Sequence, residues 1–438
     1  MDHIENCMHL HEYQAKSVLA RRGLPVPDGR VAASPEEAGR AWDELHAPGA
    51  VVKAQVHAGA RGKAGGIVPV GSRAEAVAAA RRLLGSTLVT AQTGPRGRPV
   101  GKVLVEESLD IAAEFYLSVS LDRSRGCPVL LASTAGGVDV ESTGRPPLQG
   151  WHGHSRPYAM TMVSASPPGG SLEHGHPNRG DDHATPATTE PDPGFSREYG
   201  DPTRGFEPFQ ARKVFARLGL GHELMKPMTA AMLTLGRALV DLDASLIELN
   251  PLALTRDGRL VAADVKMTLD DNALPRHPDL ADLADPSQQD PREVEAARYD
   301  LSYVGLGGNI GCMVNGGGLA LATLDLLRLH GGEPANFLDV GGTATAERVA
   351  AAFRILCRDE RVRAVFVNIF GGIVQCDLIA EGILEAVRQV AVGIPIVVRL
   401  EGNRAAEGRR ALAASGLHIF AVDSLTAAAR KAVELAAL

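Results

Sequence analysis

Aromatic residues are scarce: 10 Phe, 6 Tyr and 2 Trp make up 4% of a 438-residue chain. The five cysteines (Cys7, Cys127, Cys312, Cys357 and Cys376) are odd in number, scattered and without CxxC spacing. That excludes a zinc site or a disulfide framework and predicts structural thiols in a reducing compartment. Positive charge is not in excess either, and a formal net charge of −7 argues against a general nucleic-acid or membrane-surface binder. No apolar run approaches the length of a bilayer span, and Met1 to Met8 holds no apolar stretch of the kind a secretory signal needs. These absences predict a soluble, cytoplasmic protein. Its length is too great for one core and suits two or three domains. What is abundant is Gly, with 48 residues, and Ala. That composition fits an α/β protein whose loops work at close backbone range.

The most informative stretch runs from Ala50 to Gly66. An apolar strand delivers Lys53, and a glycine-rich loop then carries Arg61 and Lys63. Glycines let backbone N–H groups approach a phosphate closely, and the cations offset its charge. The spacing is not a Walker A motif, so a nucleotide loop is one hypothesis among others. Lys53 departs from the ordinary reading as a surface charge, because it ends an apolar run that should be buried. His57 invites reading as a nucleophile, but Arg61-Gly62-Lys63 makes better sense as a single phosphate-directed loop.

Around this loop the chain predicts a helix over Leu10–Arg22, and a helix start at Ser34-Pro35-Glu36-Glu37 with Ser34 as N-cap and Glu37 closing a capping box. A strand over Ile67–Val70, a helix over Ser72–Leu84 and a strand over Leu88–Gln92 follow. Val103–Glu107 and Phe115–Leu121 read as strands of an antiparallel sheet, with Glu106 in the first and Glu114 just before the second. This region is α+β. From about Gly150 to Gly205 Pro, Gly, His, Ser, Thr and Asp dominate, with Tyr158–Val163 resembling a strand. Such a run buries too little apolar surface to offset its ordering entropy, so it is expected to be largely disordered, its histidines solvated.

Helices are expected again at Phe209–Leu218 and His222–Leu242. Ser245–Leu254 and Arg259–Leu269 then form a hairpin around Arg256-Asp257-Gly258. A three-residue loop with Gly258 in the left-handed region makes Asn250 face Asp264 and Glu248 face Lys266. A two-residue turn would place Asp264 on the opposite sheet face from Asn250. Facing hard oxygen donors suit Mg²⁺ bound beside phosphates, and a polar cross-strand pair on an exposed face is the other reading.

After a polar, Pro-containing linker the last third alternates strands and helices. Strands begin at Gly311–Asn315, Phe337–Val340, Ala364–Phe370, Ile394–Leu400 and His418–Val422. Five βα units predict a parallel, flavodoxin-like sheet with helices on both faces. Asn315-Gly-Gly-Gly318, Gly341-Gly-Thr343, Gly371-Gly-Ile-Val374 and Glu401-Gly-Asn403 sit at strand C-termini before helices. That edge is where open α/β sheets bind ligands, and helix N-termini favour carboxylate or phosphate.

Together these residues resemble the β subunits of succinyl-CoA ligases (succinyl-CoA synthetases), which are ATP-grasp proteins. The resemblance covers Met8–Val140 and Phe209 to Leu438. It rests on Leu10-His-Glu-Tyr-Gln-Ala-Lys16, Lys53 with its glycine loop, Ile247-Glu-Leu-Asn-Pro251, Gly311-Cys-Met-Val-Asn-Gly316, the run Gly332–Gly342, and Asn368-Ile-Phe-Gly-Gly-Ile-Val374. It implies an ATP-grasp domain over 8–284 with an insertion over 150–205, a linker over 285–296, and a flavodoxin-like CoA-ligase domain over 297–438. It further implies that Lys53, Ala60, Arg61, Gly62, Glu106, Leu109 (through its backbone) and Glu114 hold ATP or GTP, and that Asn250 and Asp264 bind Mg²⁺. Asn315, Gly372, Ile373 and Val374 would help bind a small dicarboxylate or phosphate, and Glu248 would orient a phosphohistidine. That histidine and most of the CoA site belong to a separate α subunit in the family, so this chain would be half of the enzyme.

Two positions depart from the family's pattern. Ala60 stands where glycine is usual, as in malate–CoA ligase relatives, and Gln375 stands where Arg is usual after Gly-Ile-Val. The intact Phe370-Gly-Gly-Ile-Val374 is succinate-type, so succinate is the expected acid and malate the alternative. The run after Val140 replaces an ordered helix and strand of the family, which leaves a non-catalytic, α-binding paralogue as a further alternative. Pro27, near the expected base pocket, points to ATP.

Overall fold

The computed structural model describes residues 7–137, 195–342, 345–389 and 393–438. The chain divides into two compact units, with the boundary between Ala284 and Asp285.

The first unit holds two antiparallel sheets of consequence. The smaller has the strand order Gly29–Ala32, Val103–Glu107, Ala50–Ala54, Ile67–Val70. Its alternation sorts side chains by face, as a strand's period of two requires. Val52, Ala54, Val103 and Val105 point one way, into a core shared with helices Pro35–Leu45 and Arg73–Leu83. Lys53 pairs with Leu104 and Val51 with Glu106, which puts Lys53 and Glu106 diagonally adjacent on the other face. Each helix starts on a serine: Ser34 Oγ accepts the Glu37 N–H at 3.2 Å and Ser72 Oγ the Glu75 N–H at 3.3 Å. The expected capping box at Ser34 is displaced by one residue, because the Glu37 carboxylate accepts the Ala33 N–H at 2.7 Å.

The larger sheet runs Cys7–His9, Val265–Asp270, Ala244–Thr255, Ile111–Asp122, Cys127–Ser133, Ser196–Tyr199, with Leu260–Ala262 beside the central strand. Leu117, Val119, Ile247, Leu249, Val265 and Met267 pack against helices Glu12–Ala20, Pro208–Leu218 and Met225–Asp241 to form its core. The hairpin register is the expected one. Leu254 faces Leu260, Leu252 faces Ala262 and Glu248 faces Lys266, and Gly258 has a φ of 87°.

Four expectations fail here. Val103–Glu107 and Ile111–Asp122 belong to different sheets, and Glu114 lies inside the second strand. Leu88–Gln92 is not a strand: pairing stops at Leu88, since Thr90 Oγ1 accepts the Gln92 and Thr93 N–H groups and turns the chain. Part of the run expected to be disordered is folded, because Ser196–Tyr199 adds a strand to Cys127–Ser133 and buries Ser196. Residues 138–194, including Tyr158–Val163 and the loop histidines, lie outside the described residues. The supposed linker 285–296 is also folded: helix Pro291–Ala297 places Ala296 in the core of the second unit.

The second unit is a six-stranded sheet in the order Ser302–Gly305, Asn336–Asp339, Ile310–Val314, Ala364–Gly371, Ile396–Gly402, Ile419–Ala421. Numbered along the chain, its five parallel strands run 2-1-3-4-5, the flavodoxin order, with Ser302–Gly305 added antiparallel at one edge. That edge strand escaped the sequence reading, since its four residues follow a helix too closely to show a pattern. The strand order reverses between Ile310–Val314 and Ala364–Gly371, so Asn315 and Gly371-Gly372 stand at the topological switch point.

Candidate functional site

Lys53 is buried, as its apolar run requires, at 8% exposure. Its ammonium ion-pairs with Glu106 and lies 3.1 Å from Glu12 Oε1, and it donates to the Ala263 carbonyl at 2.8 Å. Lys16, one turn after Glu12 on the first helix, lies 2.7 Å from Glu12 Oε1 and 2.6 Å from Glu106 Oε2, and also donates to Ala263 O at 2.8 Å. Arg61 reaches in from the glycine loop. Its Nη1 lies 2.8 Å from Glu12 Oε2 and its Nη2 donates to Asp264 Oδ1 at 2.7 Å. Three cations and three carboxylates thus close one interlocked cluster, and all but Asp264 are nearly sealed from solvent. Isolated charges could not be buried this way; only mutual pairing makes the site tolerable.

The cluster's electrostatics follow from its geometry. Burial pushes the Glu12 carboxyl up, but Lys16, Lys53 and Arg61 together hold it well below the usual carboxylate range. Burial opposes charge on Lys53 and Arg61, yet the surrounding carboxylates outweigh it. Glu12, Glu106 and Asp264 raise Lys53, and Asp264 and Glu12 raise Arg61.

The loop that carries Arg61 is a closed turn: the Gly66 N–H donates to Arg61 O at 2.8 Å and the Gly65 N–H to Gly62 O at 3.1 Å. Gly62 has room beside it. Ala60 sits at φ 58°, in the left-handed region, which explains why glycine suits this position. Leu109 lies in the short connection between the two sheets, half-buried. The Glu114 carbonyl accepts the Gly136 N–H at 3.0 Å, and its carboxylate lies close against Gly137.

Asn250 and Asp264 meet as the register requires: the Asn250 N–H donates to Asp264 O at 3.3 Å. Both supply hard oxygen donors, which suits a Mg²⁺ that draws its other ligands from phosphates and water. Asn250 Oδ1 accepts the Gly137 N–H at 2.9 Å and Asp264 Oδ1 takes Arg61. An amide oxygen has two lone pairs and a carboxylate about four, so this donor set fits the ion. Among the described residues no group of three or more His, Cys, Asp or Glu forms an all-protein cage. Glu248 lies on the sheet face opposite the core, where its carboxylate, after burial, pushes the Tyr116 phenol up.

In the second unit the switch point is stitched by one side chain. Asn315 Nδ2 donates to Phe370 O at 2.9 Å, and Oδ1 accepts the Phe370 N–H at 2.8 Å. Asp339 Oδ1 accepts the N–H groups of Gly316 (2.6 Å) and Gly341 (2.8 Å), tying two βα loops together. The glycines differ in purpose. A Cβ on Gly371 would meet Val374 O at 2.8 Å and Cys376 Sγ at 2.9 Å, so packing demands that glycine. Gly316, Gly317, Gly318, Gly342 and Gly372 face open space, where a ligand could approach the backbone. Ile373 is 82% exposed, but the Val374 side chain is in the core, which leaves its backbone alone for a ligand.

Comparison with known proteins agrees with this arrangement. The ATP-grasp domain model matches residues 9–146 and the CoA-ligase model residues 313–433. The chain is 47% identical over 429 residues to the succinate–CoA ligase [ADP-forming] subunit beta of Aeromonas hydrophila, covering 98% of this chain and 99% of that one. It belongs to the succinate–CoA ligase β-subunit family. The Escherichia coli relative of that name is 46% identical over 426 residues, covering 97% and 98%. Among solved structures, the ATP citrate lyase of Methanothrix soehngenii shares the fold at a TM-score of 0.67 and 17% identity, covering 98% of this chain and all of that one. As in the family, an ATP-grasp domain precedes a CoA-ligase domain, and no helix among the described residues is long and apolar enough to cross a membrane.

The structure thus gathers Lys53, Arg61, Glu106 and Asp264 into one cluster, with Asn250 beside Asp264. Glu12 and Lys16 complete the cluster, which the sequence did not lead one to expect. They lie within Leu10–Lys16, and an i, i+4 Glu–Lys pair reads as an exposed helix pair until the tertiary fold buries it.

Proposed function

We propose that this chain is the β subunit of a succinate–CoA ligase that uses ATP and acts in the cytoplasm with an α subunit. The observation that carries this reading is that Glu12 pairs with both Lys53 and Arg61 while Arg61 also pairs with Asp264, which stands beside Asn250. Cations for phosphates and oxygens for a metal stand together there. The name of the relatives, with ADP as product, supports succinate and ATP.

In this mechanism Lys53, Arg61 and the backbone of Ala60-Arg61-Gly62 bind the nucleotide phosphates, with Glu106, Leu109 and Glu114 placing the rest of the nucleotide. Asn250 and Asp264 would hold Mg²⁺, which when bound neutralises charge on the phosphates. The γ-phosphoryl leaves ADP and bonds to a histidine nitrogen of the α subunit, oriented by Glu248. The phosphoryl then passes to a succinate oxygen, and the CoA thiol displaces it as inorganic phosphate. Asn315 and the Gly372-Ile373-Val374 backbone bind the dicarboxylate or phosphate at the edge of the parallel sheet. This chemistry depends on positioning and charge neutralisation, with no covalent step on this chain. Ala60 favours one second reading, malate as the acid.

The test is transfer of labelled γ-phosphate from ATP and Mg²⁺ to the histidine of a cognate α subunit, followed by succinate or malate with CoA. Transfer followed by succinyl-CoA supports the reading, and malyl-CoA in its place replaces the acid. A stable α–β complex without transfer overturns it in favour of a non-catalytic paralogue.

A further inference from the structure

We infer that Glu12 and Lys16, on the first helix, are positioning residues for the nucleotide site, fixing the separation of Lys53 and Arg61 through the two oxygens of one carboxylate. The inference rests on the nucleotide-binding part of the function proposed above.

Glu12 gives Oε1 to Lys53 at 3.1 Å and Oε2 to Arg61 at 2.8 Å. Those two cations come from different elements, a strand of the small sheet and the glycine loop. A single planar carboxylate between them sets their spacing more rigidly than two separate counter-ions could. Glu12 is in turn held by Lys16 at 2.7 Å. The Lys16 ammonium has three donors, and Glu12 Oε1, Glu106 Oε2 and Ala263 O give it three close acceptors. Lys16 therefore has no donor left for a phosphate, although it lies among the groups that bind one. The helix beneath is fixed by its apolar face: Ala15, Val18 and Leu19 are sealed in the core of the larger sheet. The carboxylate thus has a rigid base, which a long side chain on a loop would lack.

The alternative is that the pair merely fills a buried space with balanced charge. Replacing both members separates the two roles. Glu12→Gln with Lys16→Met removes one negative and one positive charge, so Lys53 and Arg61 still face Glu106 and Asp264 in equal number. A buried ion pair replaced by neutral groups of similar volume commonly keeps its stability. Without Glu12, Arg61 has Asp264 as its remaining carboxylate partner and Lys53 has Glu106, so the two cations draw apart from the phosphate-binding arrangement.

The experiment is calorimetric titration of the α–β complex with ADP and Mg²⁺, alongside thermal unfolding, for wild type, E12Q, K16M and E12Q/K16M. The expected result is a double variant that melts closer to wild type than either single variant, yet binds the nucleotide at least about tenfold more weakly. Lys16→Arg, which keeps the charge, should recover most of the affinity lost in K16M. A double variant whose affinity stays within about twofold of wild type would overturn the inference. Wild type that binds ADP but transfers no phosphoryl group sinks the ligase reading alone, and the affinity ratio still decides this one. Wild type that binds no ADP overturns both.

Discussion

Arg61 Nη2 lies 2.7 Å from Asp264 Oδ1, so the cation of the glycine loop and the carboxylate of the Gly258 hairpin neutralise one another. These residues are 203 positions apart in the chain, and the contact joins the glycine loop of the smaller sheet to the hairpin of the larger one.

Asp264→Ala should therefore abolish phosphoryl transfer and leave the fold in place. Arg61 keeps Glu12 as a partner at 2.8 Å, so no buried cation is stranded. A loss of at least about 10²-fold in rate is expected from removing one electrostatic contributor at a reacting phosphate. The check is labelled phosphate transfer in parallel with circular dichroism. Transfer at the wild-type rate would remove Asp264 from the metal site.

Glu106→Ala is expected to behave in the opposite way. It removes a carboxylate shared by Lys16 and Lys53, both nearly sealed from water, and leaves Glu12 to serve three cations. Breaking a buried pair on one side costs about 3–5 kcal/mol. The urea midpoint should fall accordingly, and an unchanged midpoint would show that water enters the cluster.

The φ of 58° at Ala60 sets up a third test. A β-branched side chain in the left-handed region is strongly disfavoured, so Ala60→Val should cost about 1–2 kcal/mol and weaken nucleotide binding. Ala60→Gly should bind nucleotide at least as well as wild type. Thermal melts and ADP titrations of the two variants check this, and equal behaviour of Val and Gly would mean the loop is not held in this conformation.

Acid should destabilise both units through carboxylates held below their ordinary range. In the first, Glu12 is depressed by Lys16, Lys53 and Arg61 against the effect of burial. In the second, the Arg361 hydrogen bond outweighs burial and, with Arg292, takes Asp359 down to about 2. A depressed carboxylate contributes stability that is present above its unfolded pKa of about 4 and is lost as pH falls through its folded value. Stability from these groups should hold from pH 7 to about 5 and decline from about pH 4 towards 2. Urea midpoints across that range measure it, and a midpoint that rises on acidification would contradict the pairing.

Thiol labelling gives a further test. Burial pushes both Cys312 and Cys357 up to about 12, and thiolate is the reactive form. The folded protein should leave these two unlabelled by iodoacetamide at pH 8, and denaturant should expose them. Fast labelling of Cys312 in the native state would show that the central parallel strand opens.

Much of this protein is determined locally. The period-two alternation around Lys53, the three-residue turn at Gly258 and the repeated strand–glycine–helix units each depend on a few neighbouring residues. These sufficed for the parallel sheet and for the facing of Asn250 and Asp264. Tertiary structure decided what local pattern cannot express. It placed Val103–Glu107 and Ile111–Asp122 in separate sheets, added Ser302–Gly305 antiparallel, and committed the Asn315 side chain to the Phe370 backbone. It also turned Glu12 and Lys16, an ordinary helix pair in sequence, into the buried centre of a charge cluster. Burial changes what a charge means, since a group that water would screen must find its partners within the protein, and those partners come from segments far apart in the chain.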